Sequence, residues 1–313
     1  MLLAKRRVMA AKVETTVGTA ETLTATEGAF NIFEASMQPN INFNERQGQG
    51  VFSPLPGVLG AYGGTVSFRV EVHGSGSAGS PSPAWASTLL PACGLYDDSD
   101  VFKLESKAPA AGANTKTVTL GVFEDGLYKK LAGCMGNAVF NFTAGQVASI
   151  DFTFTGIWAD PEDSAIIAPT YPTVIPPRVA GVELTIGSWS PVFQSLSFDL
   201  GNEVTLREDA QQTSGYISAV ITGRRITGTI NPEATLVATH DIYGDWKDGT
   251  EAALAFAVGS GSADGNCVDV AAPKLQWTNV QEGDREGINI DEGSFQLNRS
   301  VAAGDDELTI TFS

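Results

Sequence analysis

Residues 133–158 constrain the fold more than any other part of the chain, because their side chains alternate between apolar and polar with the period of a β-strand. Two strands are predicted around a turn at residues 144–146, and each strand has one apolar face. The apolar side chains of these faces are Phe140, Phe142, Ile150, Phe152 and Phe154. Asp151, Thr153 and Thr155 fall on the opposite face. The pattern therefore predicts a β-hairpin with one face on a core and the other facing water or another polar surface.

Similar alternation recurs along the chain and predicts an all-β fold with one or two short helices. Residues 66–72 show it most clearly, and the 34 glycines favour short strands joined by many turns. Residues 83–95 are the best helix candidate, with Ser82 as the N-cap and Gly94 at the end. A second, shorter helix is predicted to begin near Thr250.

Length and composition favour two domains. A chain of 313 residues can bury two cores, and a hydrophobic content of 42% with a mean hydropathy of +0.01 indicates a folded protein. Residues 159–177 contain five prolines and an acidic cluster, which predicts a linker between a first domain, residues 1–158, and a second, residues 178–313. The small, polar and Thr-rich start of the chain, to about Glu27, predicts an extended N-terminal arm.

Three alternating segments recur in the second half in the same order, at offsets of 196 − 41 = 155, 226 − 66 = 160 and 308 − 150 = 158. The matching residues are Ile41 and Phe43 with Leu196 and Phe198, Val66 with Ile226, and Ile150, Phe152 and Phe154 with Leu308, Ile310 and Phe312. Nearly equal offsets predict a diverged internal duplication, with each half forming a β-sandwich or barrel. The first hairpin and the C-terminal strand carry the predicted barrel or core residues, which are Phe140, Phe142, Ile150, Phe152, Phe154, Leu308, Ile310 and Phe312.

Two connections are candidates for contacts with other molecules. Residues 48–64 are rich in Gly and Pro yet carry several apolar side chains, which predicts a long loop that is buried against something. Residues 207–224 occupy the matching place in the second half and are more polar. The candidate contact residues are Val51, Phe52, Leu55, Val58, Leu59 and Tyr62 in the first connection and Arg207, Glu208 and Asp209 in the second.

The sequence contains no catalytic, cofactor or metal motif. His73 and His240 are far apart along the chain, and none of the usual nucleophile, phosphate-binding, zinc or dinucleotide signatures is present. The acidic clusters at residues 97–100, 160–163 and 305–307 lack the spacing of an EF-hand and are predicted to be solvated turns. The sequence therefore predicts a protein that is not an enzyme and has no cofactor.

Charge and cysteine content narrow the range of partners. The chain has 19 Lys and Arg against 36 Asp and Glu, so its net charge is −17 and a basic nucleic-acid-binding surface is not expected. Cys93, Cys134 and Cys267 do not cluster, which predicts reduced, buried thiols in a protein made in a cytoplasm. No segment has the length and hydropathy of a signal h-region or a membrane span, so no membrane partner is expected.

Residues 133–158, taken with three further segments, carry a resemblance to a known family. These segments are AKVETTVGTAETLTATEGAF at residues 11–30, PAWASTLLPACGL at residues 83–95 and DGLYKKLAGC at residues 125–134. Their order resembles the tail tube, or major tail, proteins of tailed bacteriophages. The likeness covers the first half by motif and the second half by pattern.

The resemblance implies a structural virion protein that forms stacked rings around a hollow tube, through which the genome passes into the host. Two tube-type units per chain imply a homotrimeric ring, and the acidic charge implies a lumen along which DNA slides without sticking. The first connection is then a candidate for contacts between rings. The implied partners are the tape measure, tail terminator and distal tail proteins, and the size of the chain suggests a long non-contractile tail assembled in the bacterial cytoplasm.

Two alternatives remain open from the sequence. The second half could be an outward Ig-like decoration, in which case the ring is a hexamer. The chain could also be a carbohydrate-binding or adhesin array of β-sandwiches, but such proteins have an export signal and clustered aromatic side chains. The five Trp of this chain are scattered, at 85, 158, 189, 246 and 277.

Overall fold

The computed structural model describes residues 6–110, 113–259 and 264–313, and in these residues it is an all-β structure with two short helices. The first strands are β1 Arg7–Val13, β2 Phe33–Arg46, β3 Leu55–Glu71, β4 Leu95–Asp98, β5 Val101–Leu104, β6 Val118–Glu124, β7 Leu127–Thr143 and β8 Ser149–Asp163. The later strands are β9 Thr185–Ile186, β10 Phe193–Asp199, β11 Asn202–Glu208, β12 Tyr216–Arg224, β13 Thr227–Pro232, β14 Glu251–Val258, β15 Val268–Arg285, β16 Ile288–Leu297 and β17 Thr309–Phe312. The helices are α1 Ala84–Leu89, followed by a 3-10 turn at Leu90–Cys93, and α2 Ile242–Asp248. The predicted fold class is confirmed.

The predicted hairpin is strands β7 and β8. Phe140 pairs with Ile150 across the antiparallel ladder, and the chain turns at residues 144–146. Phe152 and Phe154 are buried and stack with Phe68 of β3, with ring centroids 5.6 and 5.9 Å apart. Period-two alternation identified this element correctly because one of its faces is buried along its length.

One large sheet connects both halves of the chain. Its strand order is β2-β3-β8-β7-β10-β13-β16-β15-β17-β5-β4, while β11 and β12 form a separate two-stranded sheet. Two more pairs extend from it: β6 joins β1 to β7, and β14 joins β9 to β15. The chain therefore contains the same arrangement of six strands twice. The first set is β2-β3-β8-β7, with β6 and β1 attached to β7, and the second is β10-β13-β16-β15, with β14 and β9 attached to β15.

We call these two sets of strands the first and second repeat. A helix follows the second strand of each set, α1 after β3 and α2 after β13. In this order β16 is the counterpart of β8, so the equivalence of residues 308–312 with residues 150–154 is wrong. The strand pairings also give offsets of 197 − 36 = 161 and 229 − 67 = 162, so the equivalences of Ile41 with Leu196 and of Val66 with Ile226 are wrong as well. Strand β17 is an addition that pairs with β15 and with β5 of the first half. The duplication itself stays a prediction, and the repeated strand order is its physical basis.

The two repeats meet where β10 pairs with β7. Phe198 of β10 stacks on Phe140 of β7 with ring centroids 4.6 Å apart, and Phe142 packs edge-on against Phe256 of β14 at 4.9 Å. The larger of two hydrophobic clusters runs from Met9 to the C-terminal strand and includes residues of both repeats. Strand β8 continues five residues past Trp158, so residues 159–163 are strand and not linker, because they pair with the start of β7.

The prediction of an extended N-terminal arm is wrong for β1. This strand pairs with β6 along its length, and Met9 is 1% exposed. Glu14, which follows β1, is also buried, and its carboxylate accepts hydrogen bonds from Thr117 and Thr119 hydroxyls and from the Gly133 backbone amide at 2.6, 2.8 and 2.7 Å. The sequence pattern did not reveal β1 as a core strand because two of its three buried side chains, Ala10 and Ala11, are small.

The first helix lies where the sequence places it and the second does not. Residue Pro83 is the N-cap of α1 in place of Ser82, and Gly94 ends the following 3-10 turn with a positive φ of 82°. Helix α2 ends before Thr250, since Gly249 caps it with φ 67° and β14 begins directly afterwards. The predicted start of a helix near Thr250 is therefore wrong.

Residues 48–64 are not one long loop, because β3 begins at Leu55 and pairs with β2. The glycines of this segment interrupt the alternation by which a strand is recognised in the sequence. The structure explains why Gly57 is a glycine, since the ring of Phe43 lies where a Cβ on Gly57 would be. The connection at residues 207–224 is also largely strand, in β11 and β12. Of the acidic clusters, residues 160–163 lie in β8 and not at a turn.

Candidate assembly surfaces

The distal part of the β2–β3 hairpin projects into solvent, and we call residues 41–62 the outer arm. It is paired from Ile41 with Tyr62 to Arg46 with Leu55. Its apolar side chains are exposed: Phe43 is 61%, Leu59 68% and Phe52, at the tip, fully exposed. The remaining exposed apolar side chains of the arm are Ile41, Val51, Leu55 and Val58. Such a cluster on a projecting hairpin is typical of an interaction surface.

The counterpart in the second repeat folds back on the first repeat, and we call residues 202–224 the folded arm. Asn202 donates from Nδ2 to the backbone carbonyls of Cys93 and Gly136 at 2.8 and 3.0 Å. The folded arm can approach the first repeat this closely only because residue 133 is a glycine: a Cβ on Gly133 would lie 3.0 Å from Ser218 Cα. Ala219 of this arm is completely buried. The folded arm is thus a packed element of the first repeat.

A polar cluster fastens the base of the folded arm. Arg224 donates to Asp305 at 2.7 Å, and Ser106 donates its backbone amide and its hydroxyl to the same carboxylate. Partial burial opposes ionisation of Asp305, but the hydrogen bonds from Ser106 and the Arg224 guanidinium outweigh it and hold its pKa below the ordinary value. The acidic cluster at residues 305–307 is therefore an internal anchor.

This anchor predicts a loss of stability in acid. A carboxylate whose pKa is lowered by folding contributes stability that is present above the unfolded pKa, and that is lost as the pH falls through the folded pKa. We expect the free energy of unfolding of dilute protein, measured with urea between pH 7 and 3, to decrease below about pH 4. Asp305→Asn should lower stability at pH 7 and flatten this dependence. Asp248→Asn, at an exposed site outside the cluster, is the matched control, and equal profiles for the two variants would contradict the assignment.

The face of the shared sheet opposite the core is lined by small polar side chains. Two rows in register cross it, Ser36, Ser67, Thr153 and Asn137 in the first repeat and Ser197, Thr229, Ser294 and Asn279 in the second. Arg69 on this face is neutralised by Asp151 at 2.7 Å. Arg225, at its rim, donates to Gln296. The face therefore offers hydroxyls, amides and carboxylates with little unpaired positive charge.

Two strand edges of the shared sheet are open. In the described part of the chain, the only strand that pairs with β2 is β3, although the Arg7 guanidinium of β1 donates a hydrogen bond to the Ala35 carbonyl. Strand β15 pairs with β14 as far as Gln276, and beyond that residue its only described partner is β16. An open edge is a ready template for a strand from another chain.

The structure shows where each candidate residue from the sequence lies. Arg207 and Glu208 are exposed near the tip of the folded arm, Asp209 is half-buried there, and Tyr62 is half-buried against the core at the base of the outer arm. All eight predicted barrel or core residues are buried. The sequence brought the outer arm to attention by its apolar content. It also identified residues 207–224 as a connection, but it missed the packing of the folded arm on the first repeat and the role of Glu14, since their partners are distant in the chain.

The histidines and cysteines lie outside these surfaces. His73 is buried and contacts the Gly74 carbonyl through Nδ1 at 2.7 Å, and His240 stacks on Trp189 with ring centroids 3.9 Å apart. Cys93, Cys134 and Cys267 are free and buried. Burial raises the pKa of the Cys93 thiol. Within the described residues no group of three or more His, Cys, Asp and Glu is placed to hold a metal ion.

An all-β chain with a repeated strand order, open edges and a projecting apolar arm belongs to the class of structural proteins that build larger assemblies. The family described as phage tail tube protein matches residues 4–312, so the chain belongs to the phage tail tube protein family. The protein is a structural component of a phage tail, and its copies assemble with one another into a tube. No curated protein matches the chain. None of the helices in the described ranges is long and apolar enough to cross a membrane.

Proposed function

We propose that three copies of the chain form a closed ring, and that rings stack into the tail tube. The observation that carries this proposal is the repeated strand order that ends in an open edge on each side, β2 and β15. Eight strands run from β2 to β15 in each chain, so three chains contribute 3 × 8 = 24 strands to a barrel in which each open edge is paired. Because each chain supplies two similar units, the ring has six similar positions around its axis.

The polar face of the shared sheet lines the lumen of this ring. Its rows of Ser, Thr and Asn side chains lack the clustered cations that bind phosphate, and a ring of three chains has a net charge of 3 × −17 = −51. DNA therefore passes during ejection without being held. Repulsion of this kind is useful in a conduit because it lowers the residence time of a charged polymer at the wall.

Both repeats line the lumen. Strand β10 of the second repeat pairs with β7 in the same sheet that carries β2, β3 and β8, and this continuity favours a trimer over a hexamer with an outward second domain. The exposed tip of the outer arm, with Val51 and Phe52, contacts the adjacent ring along the axis. Arg207, Glu208 and Asp209 at the tip of the folded arm form a more polar counterpart of this axial contact.

The tube is part of a long non-contractile tail that is assembled in the bacterial cytoplasm. Buried free thiols suit a reducing compartment, and the size of the chain, with its two repeats, suits a trimeric tube. The tape measure protein occupies the lumen during assembly, and the terminator and distal tail proteins meet the two ends. Axial stacking is a head-to-tail contact that remains open at each end, and such contacts propagate into filaments.

Negative-stain electron microscopy across a concentration series, with the mass from light scattering, tests this proposal. We expect rings and tubes with a central hole. A trimeric ring has a mass of 3 × 32.8 = 98.4 kDa, and a hexameric ring has twice that mass. A protein that stays monomeric at high concentration would refute the ring, and a hexameric mass would refute the shared lining by both repeats.

A further inference from the structure

The two repeats differ in their arm-binding surfaces: the surface of the first repeat is filled, and that of the second is not. In the first repeat, the folded arm covers the end of the helical segment, where Ile221 lies 3.5 Å from the Cβ position of Gly94. In the second repeat, Gly249 ends α2 in the same left-handed conformation, and no other part of the described chain provides an arm for it. Trp246, one turn before Gly249, is 37% exposed.

The register of the internal junction can be transferred to the open edges. Ser197 and Ser36 hold the same place in the two polar rows, an offset of 197 − 36 = 161, and Asn279 and Asn137 do so with an offset of 279 − 137 = 142. In the internal junction, residues 195–199 of β10 pair with residues 139–143 of β7. The same offsets place residues 34–38 of β2 opposite residues 281–285 of β15.

Charge supports this register. The transferred pairing is antiparallel and sets Glu34 opposite Arg285, while Gln38 faces Gln281. In the single chain the side chain of Glu34 is 76% exposed and lies 3.7 Å from Arg69, and Arg285 is paired with Glu233, so the contact between chains joins two existing ion pairs into one network. Opposite charges directly across a β-ladder stabilise the pair, whereas like charges destabilise it.

We propose that the junction between neighbouring chains copies the junction between the two repeats of one chain. The edge of β2 pairs with the edge of β15 of a second copy, residues 34–38 against residues 281–285. The outer arm then lies over the end of α2 of that copy, as the folded arm lies over the end of the helical segment of the first repeat. This assignment rests on the proposed ring and names the surfaces that close it.

The side chains of the outer arm fit this position. The offset between β3 and β13 is 229 − 67 = 162, which makes Leu59 the counterpart of Ile221 and places it against Gly249 of the second copy. Leu59 is 68% exposed and Trp246 lies beside its expected position, so docking removes apolar surface of both chains from water. The tip, residues 47–54, extends beyond this contact and stays available to the adjacent ring.

Cysteine cross-linking tests the junction, because the native thiols are buried. Gln38→Cys with Gln281→Cys reports the strand pairing by oxidation, and Leu59→Cys with Asp248→Cys reports the arm contact through a short bis-maleimide. Each pair should give a covalent trimer of 98.4 kDa that does not grow further, because a lateral chain of contacts closes at three. Gln38→Cys with Asp284→Cys is the register control, since a shift of three residues turns the second thiol to the other face.

The outcomes separate this inference from the ring itself. Rings or tubes in the electron microscope without covalent trimers from the first two pairs would overturn the junction and leave the ring intact. A ladder of products longer than a trimer from the arm pair would place the arm between rings and also overturn it. A protein that forms no ring under any condition would refute the proposed function and the junction together.

Discussion

Replacing residues 47–54 with a two-residue Asn-Gly turn should give a folded protein that no longer forms tubes. The turn closes the ladder at the pair Arg46 and Leu55, so the strands of the outer arm remain in register. The replaced residues are nearly all exposed and carry Val51 and Phe52, which have no partner in the core. We expect the free energy of unfolding to change by less than about 0.5 kcal/mol, as for other surface changes. Tube formation should fall below detection in negative-stain images, while rings persist.

Two single substitutions test whether tube formation depends on the tip of the outer arm or on any exposed apolar side chain. Phe52→Ser should weaken polymerisation, whereas Ile175→Ser, at a side chain that is 83% exposed and lies outside the arms, should leave it unchanged. Light scattering across a concentration series gives the critical concentration for each. If the shortened tip still yields tubes of normal length, the axial contact lies elsewhere and this assignment is wrong.

The hairpin of β7 and β8 could be read from the sequence because each partner is next to the other in the chain. Phe140 and Ile150 are ten residues apart, and strict alternation fixes which side chains are buried. The junction of β7 with β10 could not be read in this way. Asn141 of β7 pairs with Ser197 of β10, which comes much later in the chain, after β8 and the Pro-rich segment. Nothing in the local sequence of either strand identifies the other as its partner.

The two arms likewise differ in how much of their structure could be predicted from the sequence. Apolar side chains such as Val51 and Leu59 marked the outer arm, although glycines at 57, 60, 63 and 64 disguised its second strand as a loop. The folded arm shows a comparable alternation, but its packing on the first repeat depends on glycines elsewhere in the chain, such as Gly133, that let the two backbones approach closely. Contacts of backbone with backbone leave no signature in the pattern of apolar side chains.

Phe198→Ala should cost about 3–5 kcal/mol of folding free energy, the range for a large buried aromatic side chain. Phe198 is 1% exposed and stacks on Phe140 and Phe142 with ring centroids 4.6 and 6.0 Å away, so its removal leaves a cavity at the junction of the two repeats. Phe43→Ala is the matched control, because Phe43 is 61% exposed on the outer arm and its loss should cost far less. Urea unfolding followed by intrinsic fluorescence measures both.

The shape of the unfolding curve decides whether the repeats are separate domains. The hydrophobic cluster continues from β7 into β10 and on to β15, and a shared core makes two parts unfold together. We therefore expect one transition for the unaltered chain and one, shifted to lower urea, for Phe198→Ala. Two transitions, of which the substitution shifts only one, would instead support independent domains joined at residues 159–177. In that case the repeats could be expressed separately, whereas a shared core predicts that each half alone exposes β7 or β10 and aggregates.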